Sequence, residues 1–566
     1  MKRRLLPMMM TLVLVCALPI WAAFVTSPDV TNPLVCTAWA DTAEGERNSG
    51  TTQETFTEVT DETTLKKAVA DGKSVRMTQD ITLTSSLCIE KAVTLDMDGH
   101  VLTRMHTYEY DMVVIRSDAT LTLIDSNTGN LQHRFNAGET GWTKAADNAT
   151  GDGIVTVTGG VIYGDAGRSI INPCGIKILK GKLEMYGGSI VGIRNVYNAN
   201  GGGVYVSDQC TFNMYGGSIK GCYVFSDGGG VYVAAGGTFT MSGSSAITNC
   251  KGSRGGAVYN AGTFTMRDNS HIADCIYNSS IASGGGVHNK GTFTVEGGSI
   301  TGSVNDHNRE QSSDDICNEN KLDVSEGITI SCNVNVGYGG TISKGTFTGR
   351  VWIFWEGTIL GGTFTNEVIN YEGTIKAGEF TGEVTNTSGG TISGGTFDKN
   401  VANESGATIS GGTFYENVTN KTNATLNGGI FYGGVTNDGG KIEDGAYETV
   451  KFNSDNGAQA KEEKVLRGQK VAKPTDDPTK SGYTFIGWED ADGAYDFSKS
   501  VTAPLTLTAK WEKNPSSGGY YYYPTTDTKA DDTKGSPKTA DPGVALYAAL
   551  SILSLTGMVA LNGKKR

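Results

Sequence analysis

Three apolar columns recur every 16 or 17 residues in the second half of the chain. Phenylalanines stand at 347, 364, 380, 397, 414 and 431. Beside them run Ile342, Ile359, Ile375, Ile392, Ile409, Leu426 and Ile442, and then Val351, Val368, Val384, Val401, Val418 and Val435. Three core positions per repeat predict a coil with three short sides, each placing one side chain inward. A slip of one residue would turn a whole column out to solvent, so the pattern specifies register strongly. Asn370, Asn386, Asn403, Asn420 and Asn437 follow five of the valines by two residues, and they predict an amide ladder that satisfies turn backbone at a corner.

Upstream the repeat is longer. Gly201-Gly202-Gly203-Val204-Tyr205 returns as Gly228 to Tyr232, Gly255 to Tyr259 and Gly284 to His288. Each is followed by a Thr-Phe pair (Phe212, Phe239, Phe264, Phe293) and then by Ile219, Ile247, Ile272 or Ile300, at spacings of 25 to 29 residues. The strings are short, β-branched and cut by glycine, with no helical period, which predicts parallel strands wound into a solenoid. With Val204, Val231, Val258 and Val287 inward, strand alternation sends Tyr205, Tyr232, Tyr259 and His288 outward as a stacked row. That row is one candidate binding surface, since exposed aromatic faces suit sugar rings or partner side chains. Trp352, outward with Phe354 in Val351-Trp352-Ile353-Phe354-Trp355, is a second. Cys222, Cys250 and Cys275 each fall three residues after the repeat isoleucine, predicting one column of small buried thiols, with neighbours on adjacent coils close enough for one bridge.

The Gly-Gly-Gly-Val-Tyr and Gly-Thr-Phe-Thr strings resemble the parallel β-helix repeats of large Gram-positive surface proteins, over roughly residues 60 to 447. The resemblance implies right-handed winding, and it implies that the short helix read at Thr64 to Ala70 caps the first coil. After the solenoid, Lys480-Ser481-Gly482-Tyr483-Thr484-Phe485-Ile486-Gly487-Trp488 and the closing Ala509-Lys510-Trp511 resemble the Listeria-Bacteroides repeat, also called the internalin B-repeat. This implies a small β-grasp-like module, with Trp488 and Trp511 in its core.

The two ends read as address labels. Lys2-Arg3-Arg4, an apolar stretch from Leu5 to Phe24 and Ala38-Trp39-Ala40 have the order of a secretory signal, with a mature chain starting near Asp41. Ser536-Pro537-Lys538-Thr539-Ala540, an apolar run from Val544 to Leu561 and Lys564-Lys565-Arg566 resemble a cell-wall sorting signal. That resemblance implies cleavage after Thr539 by a sortase and transfer to peptidoglycan, although Ser536 and Ala540 replace the usual Leu and Gly. A plain C-terminal transmembrane helix is the other reading of the same segment. The expected layout is a signal peptide (1–40), a polar lead (41–60), long coils (61–335) and 17-residue coils (336–447). The Listeria-Bacteroides module (448–512), a disordered linker carrying the sorting motif (513–542) and the membrane segment with its basic tail (543–566) complete it.

Composition narrows function mainly by exclusion. Among 566 residues 78 are Gly, and the formal charge of -13 denies nucleic acid the basic surface it needs. Eight cysteines remain beyond the signal, none in Cys-x-x-Cys pairing, and the six histidines are scattered with no pair spaced for a metal. No cofactor or metal is expected from these spacings. Glycan-cleaving β-helices gather carboxylates on one face, whereas these columns offer Gly, Thr, Val and Phe. The densest acidic spots, Asp314-Asp315 and Asp490-x-Asp492-Gly493, read as solvated turns. The expected protein is therefore an all-β, non-enzymatic cell-surface stalk with an adhesive face for glycans or proteins. A polysaccharide lyase or hydrolase and a purely structural spacer are the alternatives.

Overall fold

The computed structural model describes residues 55–515, apart from 106–109, 128–130, 139–140, 165–173, 196–198, 279–282 and 306–314. The signal segment, the sorting motif Ser536 to Ala540 and the apolar segment after it lie outside the described residues. Among the described residues no helix is long and apolar enough to cross a membrane.

The chain is an all-β solenoid of stacked parallel strands followed by a small mixed sheet. Sheet A has seventeen strands, from Thr57–Val59 to Lys441–Ile442, and its pairs are parallel along the whole length. Sheet C has fifteen, from Leu87–Ile89 to Val435–Asp438, also parallel. The remaining sides differ between the two blocks. Long coils close with the eight-stranded sheet B (Ile81–Leu83 to Ser299–Thr301) and the five-stranded sheet E (Arg194–Asn195 to Val304–Asn305). Short coils replace both with the seven-stranded sheet F (Thr329–Ile330 to Ile430–Phe431), leaving the three sides that the 17-residue period predicts. Seventeen strands give sixteen steps of about 4.8 Å, a stack roughly 75–80 Å long. Thr57–Val59 already pairs with Val75–Met77, ahead of the expected start at 61, and sheet F begins ahead of 336. A three-stranded flap, sheet D, is built from Gln132–Asn136, Thr143–Lys144 and Ile154–Thr158 and packs Phe135 and Trp142 over Tyr163 and Val191.

Side chains in register make the core. Phe347, Phe364, Phe380, Phe397, Phe414 and Phe431 are buried, with successive ring centroids 4.7–5.2 Å apart and nearly parallel planes. The expected amide ladder is inside the coil: each Nδ2 of Asn370, Asn386, Asn403 and Asn420 donates to the next Oδ1 at 2.7–2.9 Å. The same Nδ2 groups donate to Thr391, Thr408, Thr425 and Lys441 carbonyls, so each amide closes a corner as well as joining coils. A second ladder, Asn260–Asn289–Asn318, does the same in the long coils. Cys222, Cys250 and Cys275 are buried and not disulfide-bonded, as is every cysteine among the described residues except half-buried Cys88, which is also unbridged.

Both ends of the solenoid are covered. Helix α1 (Glu62–Asp71) starts in a capping box between Asp61 and Thr64, ends at Gly72 (φ 77°), and buries Leu65, Ala68 and Val69 against the first coil. Glu62 accepts hydrogen bonds from the Thr84 and Ser85 amides and the Thr84 hydroxyl, which pins the helix to the coil below. At the far end the last coil runs into sheet G, ordered Lys461–Leu466, Tyr447–Asn453, Leu505–Lys513, Tyr483–Asp490, Gly493–Ala494. Its central pair, Tyr447–Asn453 with Leu505–Lys513, is parallel and the rest antiparallel. No α-helix crosses it among the described residues. The Phe431 amide donates to the Arg467 carbonyl at 2.8 Å and the Gln469 side chain donates to the Phe431 carbonyl, so the module occupies an edge that another strand could otherwise extend.

Candidate binding face

Parallel register converts residues far apart in sequence into one line on the outer surface of sheet C. Lys177, Tyr205, Tyr232, Tyr259, His288, Cys317, Asn335 and Trp352 are successive partners from coil to coil. Their inward neighbours Val204, Val231, Val258 and Val287 are fully buried, which is the alternation the sequence predicts. Tyr205, Tyr232, Tyr259 and His288 stack with ring centroids 5.0–5.2 Å apart.

The row is outward but not open, which departs from the expectation of an exposed surface. Tyr205 and Tyr232 are half-buried, Tyr259 is 6% exposed and His288 0%. The cause is the turn that precedes each sheet C strand in the long coils. Arg254 lies over the Tyr259 ring at 5.1 Å and is held by two bonds to Asp227, Nε to Oδ1 at 2.9 Å and Nη2 to Oδ2 at 2.6 Å. Ser253 donates its amide to the Ser226 carbonyl and Ser226 donates its hydroxyl to Asn200, so the turns are laced together as a roof. Burial pushes the Tyr259 hydroxyl up to about 12. Beyond it, His288 Nε2 stands 3.2 Å from Glu319 Oε1, and Lys290 Nζ stands 2.9 Å from Glu319 Oε2. Burial pushes the Glu319 carboxyl up, and the adjacent His288 and Lys290 more than offset it, so the group sits below its ordinary range.

In the short coils the turn before sheet C shrinks and the roof ends. Trp352 and Phe354 are half-buried on the outer face, as alternation predicts. Tyr338 and Trp355, in turns that follow sheet C strands, and Tyr371, at the end of the strand Val368–Tyr371, are 50%, 42% and 41% exposed. They join Phe354 in one patch across three coils: Tyr338 to Trp355 is 4.9 Å between centroids, Phe354 to Trp355 5.7 Å and Phe354 to Tyr371 6.0 Å. Tyr338 and Trp355 have φ of 50° and 34°, a left-handed backbone that L side chains seldom adopt, and exposed Glu356 and Glu372 flank them. Periodicity could have found this patch, because 338 and 355 are one repeat apart, as are 354 and 371. Strand alternation finds only part of it, Phe354, because Tyr338 and Trp355 sit at turn positions.

The acidic positions serve the backbone. Asp314 lies outside the described residues, but Asp315 is buried, contrary to the reading of a solvated turn. Its Oδ1 accepts from the Ser303 amide and its Oδ2 from the Asn333 amide, stapling the junction where sheet E stops, and burial pushes its pKa up. Asp125 likewise accepts from the Gly99 and Gly160 amides. Asp96 accepts from the Asp98 and Ser126 amides and pairs with Arg76 at 2.7 Å. Asp490 and Asp492 do form an exposed hairpin turn. In the module Trp488 is buried and Trp511 packs half-buried against the same cluster.

No curated protein and no solved structure matches the chain. Residues 449–510 match the Listeria-Bacteroides repeat domain, a module that occurs in surface proteins.

Proposed function

We propose that this protein is a non-enzymatic adhesive stalk that binds a glycan chain through the aromatic patch of Tyr338, Phe354, Trp355 and Tyr371. The observation that carries the reading is the exposure of Tyr338, Trp355 and Tyr371 together beside half-buried Phe354, at strand ends and turns whose register is set by the core beneath. Solvent-facing aromatic clusters of this kind mark interaction surfaces. Sugar rings offer apolar C–H faces to such rings, and the exposed Glu356 and Glu372 carboxylates beside them would accept hydroxyl hydrogen bonds. The half-buried Tyr205 and Tyr232 supply rigidity along the stack more than contact area. Four to six coil steps, roughly 20–30 Å, and the C-terminal module would hold the patch away from the envelope. Anchoring belongs to the same reading, with Thr539 as the residue at which a sortase would join the chain to peptidoglycan.

Two experiments test this. Cells displaying the chain are offered an immobilised glycan panel. Trp355→Ala with Tyr371→Ala should lose at least about tenfold in attachment, as expected when central aromatic anchors are removed. Tyr415→Ala with Tyr432→Ala, an exposed stacked pair 5.6 Å apart on another face, should leave attachment unchanged. Equal loss in both, or no glycan retained by the wild type, rejects the patch. Fractionation addresses the anchor: Thr539→Ala should move the protein from the muralytic-released fraction to the detergent-soluble one. A wild type that dissolves fully in detergent would leave a plain membrane anchor.

A further inference from the structure

The outer column of sheet C changes chemistry where the tyrosines end. His288, Cys317 and Asn335 follow one another on three successive coils, and Glu319 stands two residues beyond Cys317, hence on the same side of the strand. One donor atom from each of His288, Cys317 and Glu319 lies within 4.8 Å of the other two. His288, Cys317 and Asn335 are all at least nine-tenths buried. Buried polar atoms normally have partners, yet neither ring nitrogen of His288 makes a hydrogen bond, and neither does Asn335 Oδ1. Nε2 approaches Glu319 within ion-pair distance only. A nitrogen, a sulfur and a carboxylate oxygen therefore converge, with unused donor capacity on both sides of the thiol.

We propose that His288, Cys317 and Glu319 bind a borderline-soft divalent cation of the zinc class. Mixed imidazole, thiolate and carboxylate donors suit that class, whereas magnesium and calcium prefer oxygen alone. Three protein ligands leave a fourth position, and Asn335 is the neighbouring oxygen on the next coil. Binding releases the Cys317 thiol proton to solvent, so apparent affinity rises with pH. Lys290 opposes the cation, because its ammonium holds the second oxygen of Glu319 at 2.9 Å. The cation would tie two adjacent coils where sheets B and E come to an end.

The test is a titration of the untagged, reduced, metal-stripped full chain with Co2+, followed by displacement with Zn2+. The expected result is one equivalent bound, with a thiolate-to-cobalt charge-transfer band in the near ultraviolet that zinc abolishes. Cys317→Ser should remove that band while circular dichroism stays unchanged. Glu319→Gln, at a partly exposed side chain that leaves packing intact, should weaken binding at least tenfold, and Lys290→Met should tighten it several-fold. A wild type that takes up no Co2+, a band that survives in Cys317→Ser, or equal affinity in Glu319→Gln would each overturn the site and leave a buried ion pair only.

Discussion

The two blocks of the solenoid share sheets A and C yet treat the outer face of sheet C in opposite ways. In the long coils, the turns that link sheet E to sheet C are laced by Arg254, Asp227, Ser226 and Asn200, and they roof the tyrosine row until Tyr259 and His288 are buried. In the short coils sheet E is gone, the link to sheet C is a few residues, and Trp352, Trp355 and Tyr371 are left half-buried or exposed. An outward position in a β-solenoid is thus not the same as an accessible one. Strand alternation decides which way a side chain points, and turn length decides whether anything lies above it.

Several substitutions would break or sharpen that contrast. The largest effect is expected inside the short coils, where Phe397→Asp would bury an unpaired charge in the phenylalanine stack. A cost of about 4–5 kcal/mol in chemical denaturation is expected, against roughly 0.5 kcal/mol or less for Thr396→Asp on the outer face. Equal costs would mean that the faces are reversed. Next comes the roof itself: Tyr259→Ala should cost about 3 kcal/mol because the covered ring leaves a cavity. Trp352→Ala in the unroofed half should cost roughly half as much, and a reversed order would show that the turns do not pack on the row. Asn403→Leu should cost about 2 kcal/mol by stranding the Thr425 carbonyl and its neighbours in the ladder, read from the same melts.

Acid should loosen the two ends unequally. Burial pushes the Glu62 carboxyl up, but bonding to Lys66 and Thr84 outweighs it, and the pKa falls from the ordinary 4.5 to about 2. Because the folded value is the depressed one, this contribution is fully present above about pH 4.5 and is lost as pH falls towards 2. Amide exchange in Thr57–Val59 and Ile81–Leu83 should accelerate over that window, and Glu62→Gln should flatten the response. The smallest effect concerns Thr385, which continues the same column on the open face. Thr385→Tyr should change stability by no more than roughly 0.5 kcal/mol, because no roof exists to be overpacked. A clear loss would mean that a turn covers this position as well.

Repetition made much of this protein legible in one dimension. A solenoid brings each residue beside its counterpart one repeat away, so aligned columns are already a contact map. The phenylalanine stack, the inward valines, the asparagine ladder, the thiol column and the three-sided coil could all be read that way. The reading failed where structure departs from the repeat. Asp315 sits beside an insertion, and its buried carboxylate accepts from the Ser303 and Asn333 amides at the end of sheet E. The meeting of His288 with Cys317 and Glu319 bridges residues about one coil apart, which no short local spacing marks. Sealing of the last coil by Arg467 and Gln469 joins two modules that share no repeat. By itself, then, the sequence determined register and the inward face, because a one-residue slip would expose a whole hydrophobic column. Only the tertiary structure decided which outward residues meet solvent, because turns of unequal length fold back over some coils and not over others.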